Sequence, residues 1–217
     1  DRMIKDEDTL LKYIKKTIKT ESNKIKKSIG DDCAVVKLSK HRYFVITTDT
    51  SLLGPHFTRE YQPRDIAYKS LASNLSDIAS MGCVPKYVLM AMTLPSLNDA
   101  WIKDFYKGLN ILMKKYNLVL IGGDTNKGPI SITFQIIGEN KSKVLCRDSA
   151  KINDDIYVTG QLGLARAALI FKRKKQKNNF LRYKKNLHCP NPRVEVGADI
   201  SNIASSCIDT VSYTHLR

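Results

Sequence analysis

No cysteine pair stands at metal-binding spacing, no long apolar run occurs, and no familiar phosphate loop is present. Each shortage removes a class of protein. The five cysteines, Cys33, Cys83, Cys146, Cys189 and Cys207, are scattered, and no C-x-x-C is found. That argues against a disulfide framework or a structural zinc site and for a reducing compartment, so cytoplasm is expected. No apolar stretch reaches the roughly 18 residues of a membrane span. The opening residues, DRMIKDEDTL, carry acids and no apolar core, so no signal peptide is expected. There is no G-x-x-x-x-G-K-[ST], GGDTNKGP does not supply one, and the protein-kinase motif set is missing.

Acidic residues are outnumbered, 21 against 36 Lys and Arg, for a net charge of +15 over 217 residues. A polyanion partner is one reading of that excess, and a lysine-rich coat on an ordinary surface is the other. Lysine far outnumbers arginine, whereas base and phosphate recognition lean on arginine, so nucleic acid is not the expected partner. The lysines form two blocks, Lys12 to Lys27 and Lys172 to Lys185, and neither interleaves aromatics regularly. A smaller anionic ligand is compatible with both.

Apolar periodicity predicts a helix over 9–20 and a strand over Tyr43–Thr48. One amphipathic helix is expected over Pro63–Pro85, with Ile66, Leu71, Leu75 and Ile78 on one face. A strand follows over Tyr87–Leu94, then a helix capped by Ser96 and running to about Tyr116. Strands are expected again over Leu118–Ile121 and Ile130–Ile137. The alternation implies α/β or α+β architecture, a mixed sheet covered by helices. A second unit begins near Ala150. It comprises a strand over Ile156–Thr159, a helix from the Gly160–Gly163 turn to Phe171, an interrupting basic stretch, and a helix from Pro192 to about Ser206. These are too few elements to close a sheet, so this unit reads as incomplete.

Four sites in the first half pair a strand or helix end with an acid: Gly30-Asp31-Asp32, Thr47-Thr48-Asp49-Thr50, Asn74-Leu75-Ser76-Asp77 and Gly122-Gly123-Asp124-Thr125. Gathered carboxylates repel, so a fold that brings them together needs cations. Hard oxygen ligands without a nearby Cys or His pair suit Mg²⁺. Glycine before an acid lets backbone N–H groups approach a phosphate. The four sites are therefore expected to converge near Asp77 as a metal–phosphate site.

Together, IGDDCAVV, ITTDTSLLGPHF, RDIAYKSLASNLSDIASMGCVP and LIGGDTNKGPISITFQIIGE resemble the successive motifs of the thiamine-monophosphate kinase family, within the AIR-synthetase-like superfamily of ATP users. The resemblance runs from Leu10 to Asp209. It implies an N-terminal ATP- and Mg²⁺-binding domain over 1–149 and the start of a second AIR-synthetase-like domain over 150–209. It implies phosphorylation of thiamine monophosphate by ATP to thiamine diphosphate, in a cytoplasmic homodimer joined through the first domain. On matched positions, it assigns Asp32, Thr47, Thr48, Asp49, Asp77, Asp124 and Asp209 to Mg²⁺. Tyr106, Gly123, Asp124 and Arg147 are assigned to the nucleotide, and His56 to the substrate. After Asp209 the family's Leu-Ser-Asp-Gly-Leu is replaced by TVSYTHLR, so 210–217 reads as an unrelated tail. Two alternatives stay open. One is another ATP-using enzyme of the superfamily, although no Gly-rich loop with a reactive Cys precedes Asp31. The other is a non-catalytic basic fragment, whose binding would depend strongly on salt.

Overall fold

Helix α2, Pro63–Ser80, lies at the centre of the structure, a computed structural model that describes residues 6–140 and 143–210. Pro63 occupies its first turn, where a missing N–H costs nothing. Burial extends beyond the expected apolar face: Ser70, Asn74, Asp77 and Ser80 are buried along with Ile66, Leu71, Leu75 and Ile78. The helix ends at Met81-Gly82, with Gly82 at φ +67°. It therefore stops short of Pro85, and Cys83–Leu94 forms strand β4, longer than the apolar run alone suggests.

Among the described residues one sheet carries six strands in the order β1-β2-β3-β6-β4-β5. These are β1 Ile25–Lys27, β2 Ala34–Lys37, β3 Tyr43–Leu52, β4, β5 Val119–Lys127 and β6 Ser131–Asn140. β3 pairs antiparallel with β6, β6 antiparallel with β4, and β4 parallel with β5. The mixed sheet with covering helices agrees with the expected α/β class. Helix α1, Glu7–Thr17, precedes β1, with Asp6 as its N-cap. Helix α3, Asp99–Lys115, packs on α2, and Asn98 rather than Ser96 caps it by accepting the Trp101 N–H at 2.9 Å. On β6, Ile132, Phe134 and Ile136 are buried in the core beneath the helices. Residues between them are turned to the other side, as the two-residue period of a strand requires.

Gly122-Gly123-Asp124-Thr125 is not a turn after a strand but lies inside β5, in register with Leu89 to Met92 of β4. At Gly123 a Cβ would stand 1.9 Å from the Met90 carbonyl oxygen, so only glycine permits that strand pairing. β5 is exposed throughout, including the apolar side chains Val119, Leu120 and Ile121.

Among the described residues beyond 143 lie three helices: α4 Leu164–Arg173, α5 Lys177–His188 and α6 Val194–Ile200. The expected strand over Ile156–Thr159 is absent among the described residues, because no neighbouring strand is there to complete its hydrogen bonds. The lysine-rich stretch is helix α5 rather than an interruption, since Lys, Leu and Arg are good helix formers. The helix expected from Pro192 to Ser206 ends at Ile200. The expected tail lies, from 211 on, outside the described residues. No helix among the described residues is long and apolar enough to cross a membrane.

Candidate metal and phosphate site

Asp77 is on the last turns of α2, only 8% exposed, at the helix end where the dipole disfavours an anion. Opposite it runs β3. Val45 and Thr47 are turned to the helix side, and Asp49 follows at the same two-residue period. The Thr47 hydroxyl donates to the Asp77 carboxylate at 2.7 Å. One turn beyond Asp77, the Ser80 hydroxyl donates to Asp32 at 2.8 Å and thereby ties the Gly30-Asp31-Asp32 turn to the same helix. Asp32 also accepts the backbone N–H of Asp209 at 3.0 Å. Asp209, from the far end of the described chain, thus joins acids from β3, α2 and the turn before β2.

The electrostatics record the crowding. Burial pushes Asp77 up to about 8; the Thr47 hydrogen bond opposes this, and Asp49, Asp209 and Asp32 add repulsion. Asp209 is pushed up to about 7, first by burial and then by Asp32. Asp49 is more open, yet burial still raises it and His56 draws it back. The Oδ2 atom of Asp209 is buried and has no hydrogen-bond partner among the described residues. Four mutually repelling carboxylates with an orphaned oxygen suit a hard divalent cation, and Mg²⁺ matches that all-oxygen donor set.

Arg147 is placed on the rim of this cluster. Its guanidinium pairs with Asp32 and lies 3.6 Å from Asp31. Asp31 in turn accepts the backbone N–H groups of Asp32 at 2.9 Å and Arg147 at 3.3 Å. Asp31, Cys146 and Asp148 form another group whose ligand atoms lie within 4.8 Å of one another. There, a thiol stands in place of one oxygen donor and Lys27 already pairs with Asp148, so it is the poorer site for a hard cation.

His56 sits in the loop after β3. The Leu52 N–H donates to its Nδ1 at 3.0 Å, so the neutral ring carries its proton on Nε2, the nitrogen left for a ligand.

Four expected residues do not join the acids. Thr48 points to the other side of β3 and donates its hydroxyl to the Phe134 carbonyl at 3.2 Å. Tyr106 packs on the core from α3, its ring edge-on to Phe105 at 5.8 Å. Gly123 and Asp124 lie on β5, separated from β3 by β6 and β4. At about 4.8 Å per strand, that is some 14 Å across the sheet. Asp124, in register with the exposed Ala91, also occupies the opposite face. Its sequence context resembled the other acidic turns, but the strand pairing carries it away. Conversely, Ser80 escaped notice, although its position three residues after Asp77 sets it on the same helix face.

A sheet of this topology, with acids from four segments gathered at one helix end, defines an AIR-synthase-related domain. The family model "AIR synthase related protein, N-terminal domain" matches residues 30–140. More narrowly, the chain belongs to the thiamine-monophosphate kinase family. It is 43% identical over 209 residues to the thiamine-monophosphate kinase of Buchnera aphidicola subsp. Schizaphis graminum, covering 93% of this chain and 64% of that relative. It is 32% identical to that of Methanocaldococcus jannaschii, covering 94% and 68%. A solved structure described as AaThiL complexed with AMPPCP and TMP superposes with a TM-score of 0.82 at 30% identity, covering 92% of this chain and 64% of that one. The thiamine-monophosphate kinase of Stenotrophomonas maltophilia K279a gives 0.73 at 32% identity, covering 91% and 64%. The chain thus spans a little under two thirds of most of these proteins.

Proposed function

We propose that the chain catalyses ATP-dependent phosphorylation of thiamine monophosphate to thiamine diphosphate. The observation that carries this reading is the convergence of Asp32, Asp49, Asp77 and Asp209, with its orphaned Asp209 oxygen, in a member of this family. An oxygen of the acceptor's phosphate attacks the γ-phosphorus of ATP, and the bond from that phosphorus to ADP breaks. The acceptor oxygen is already anionic near neutral pH, so no strong general base is needed, and positioning and charge neutralisation suffice. Asp32, Asp49, Asp77 and Asp209 would hold Mg²⁺, which supplies neutralisation of the phosphate charge when bound. Thr47 and Ser80 orient Asp77 and Asp32 by hydrogen bonds. Arg147, on the rim, is the candidate nucleotide-phosphate contact, and His56 offers Nε2–H to the substrate.

Two copies are expected to act together in the cytoplasm. The exposed apolar row Val119, Leu120 and Ile121 on an edge strand suits burial against a second copy. The same pairing would let Gly123, Asp124 and Tyr106 serve the partner's nucleotide, which accounts for their distance from the acids of their own chain. Incubation of the purified protein with Mg²⁺, ATP and thiamine monophosphate tests the function. Thiamine diphosphate should form and should vanish with excess chelator; no product at saturating substrates contradicts the reading.

A further inference from the structure

We infer that Lys69 binds the phosphate monoester of the acceptor, together with the Nε2–H of His56, an inference that rests on the phosphoryl-transfer reading above. Lys69, Ser73, Asp77 and Ser80 stand at spacings of four, four and three on α2, so they share a stripe. That stripe faces β3, the turn before β2 and the loop after β3: Asp77 meets Thr47, Ser80 meets Asp32, and Lys69 donates to the His56 carbonyl at 2.9 Å. Eight residues at about 1.5 Å each place the lysine some 12 Å along the helix from Asp77. One end of the stripe therefore carries the cation-seeking acids, and the other carries a cation beside the proposed substrate histidine.

The charge arrangement of this neighbourhood suits an anion. Lys69 is half-buried, and no carboxylate forms an ion pair with it among the described residues. Burial alone draws its pKa below the ordinary lysine value, with no acid pulling it back. Its ammonium lies 5.4 Å from the centre of the Tyr61 ring. Lys172 lies over the same ring at 5.6 Å, but that lysine is paired with Glu60 at 2.7 Å. Two cations thus share one aromatic platform, and only Lys172 has a counter-ion. Desolvating a cation without a partner is costly, and a dianionic phosphate offsets the cost. One N–H of Lys69 is used on the His56 carbonyl, which leaves further donors for phosphate oxygens. The same hydrogen bond fixes the loop that presents His56.

Titration calorimetry on the whole protein, with thiamine monophosphate, inorganic phosphate and Mg²⁺–ATP as separate probes, tests this assignment. Lys69→Met should weaken thiamine monophosphate and inorganic phosphate by about tenfold or more and leave Mg²⁺–ATP within about twofold, as loss of one charge-assisted contact predicts. Lys69→Arg, which keeps the charge, should recover most of the loss. Unchanged phosphate binding in Lys69→Met overturns the inference, as does equal weakening of all three probes, which marks a lysine that only braces the loop. Should Lys69→Met fail to fold, Lys69→Gln carries the same comparison. Lysine-dependent phosphate binding without any thiamine diphosphate formation would overturn the kinase reading and leave this anion site standing.

Discussion

At the scale of the residue, Asp77 carries a conflict between stability and function. Burial raises it to about 8 in the folded protein, far above the roughly 3.9 of an unfolded aspartate. The folded state therefore binds its proton more tightly than the unfolded state does. The stability this contributes is complete below about pH 4 and is lost as pH rises through about 8; Asp209 behaves alike, through about 7. In chelator, the melting temperature should fall between about pH 4 and pH 8, and Mg²⁺ should reduce that fall. Asp77→Asn removes the buried charge, so it should flatten the metal-free profile and raise the melting point near pH 8 by about 1–3 kcal/mol equivalent. A melting point in chelator that rises over this range would contradict the crowding inferred from the geometry. Asp32, Asp49 and Asp77 were legible as acids beside turns. Their order of burial was not, because it depends on Thr47, Ser80 and Asp209 arriving from distant segments.

Among the elements, α2 is the part on which others are built, and glycine sets how closely they approach. A Cβ at Gly108 of α3 would stand 2.0 Å from the Arg64 carbonyl oxygen of α2. One at Gly197 of α6 would stand 2.1 Å from the Ala79 carbonyl oxygen, two residues after Asp77. Gly108→Ala and Gly197→Ala should each destabilise by about 1–3 kcal/mol in urea titrations, because backbone rather than a flexible side chain blocks the new methyl. Gly197→Ala should also weaken Mg²⁺ binding, since α6 leads the chain to Asp209. A neutral effect of both would show that the helices separate freely. Periodicity made α1, α2, α3, β3, β4 and β6 readable, with errors at their ends. It failed where pairing decides. Gly122-Gly123-Asp124 reads as a turn until β4 lies beside it, and Ile156–Thr159 reads as a strand although no neighbour accepts it. The lysines of α5 read as an interruption because charge hides a helix whose buried residues, Leu187 and His188, come only at its end.

For the whole molecule, the position of Asp124 has a consequence for assembly. If two copies complete each other's sites, Asp77 and Asp124 that act together come from different chains. Asp77→Asn and Asp124→Asn should each be inactive alone. Mixed after dissociation, half of the dimers should be hybrids with one intact site of two, restoring about one quarter of wild-type activity. No recovery on mixing would place both acids in one chain. Ile121→Glu, which charges the exposed edge of β5, should shift the protein towards monomer in sedimentation experiments. The net charge of +15 is not consumed by the proposed site, since many lysines lie on α1, its following loop and the α4–α5 pair.

On the proposed function, the clustered acids serve phosphoryl transfer to a phosphate acceptor. The most direct measurement of that transfer follows ³²P from the γ-position of ATP in the presence of thiamine monophosphate and Mg²⁺, with wild-type protein and with Asp77→Asn. Label should appear in thiamine diphosphate with one ADP formed for each, and Asp77→Asn should lose about a thousandfold or more. Label released only as inorganic phosphate, or equal product from Asp77→Asn, would contradict the proposed function.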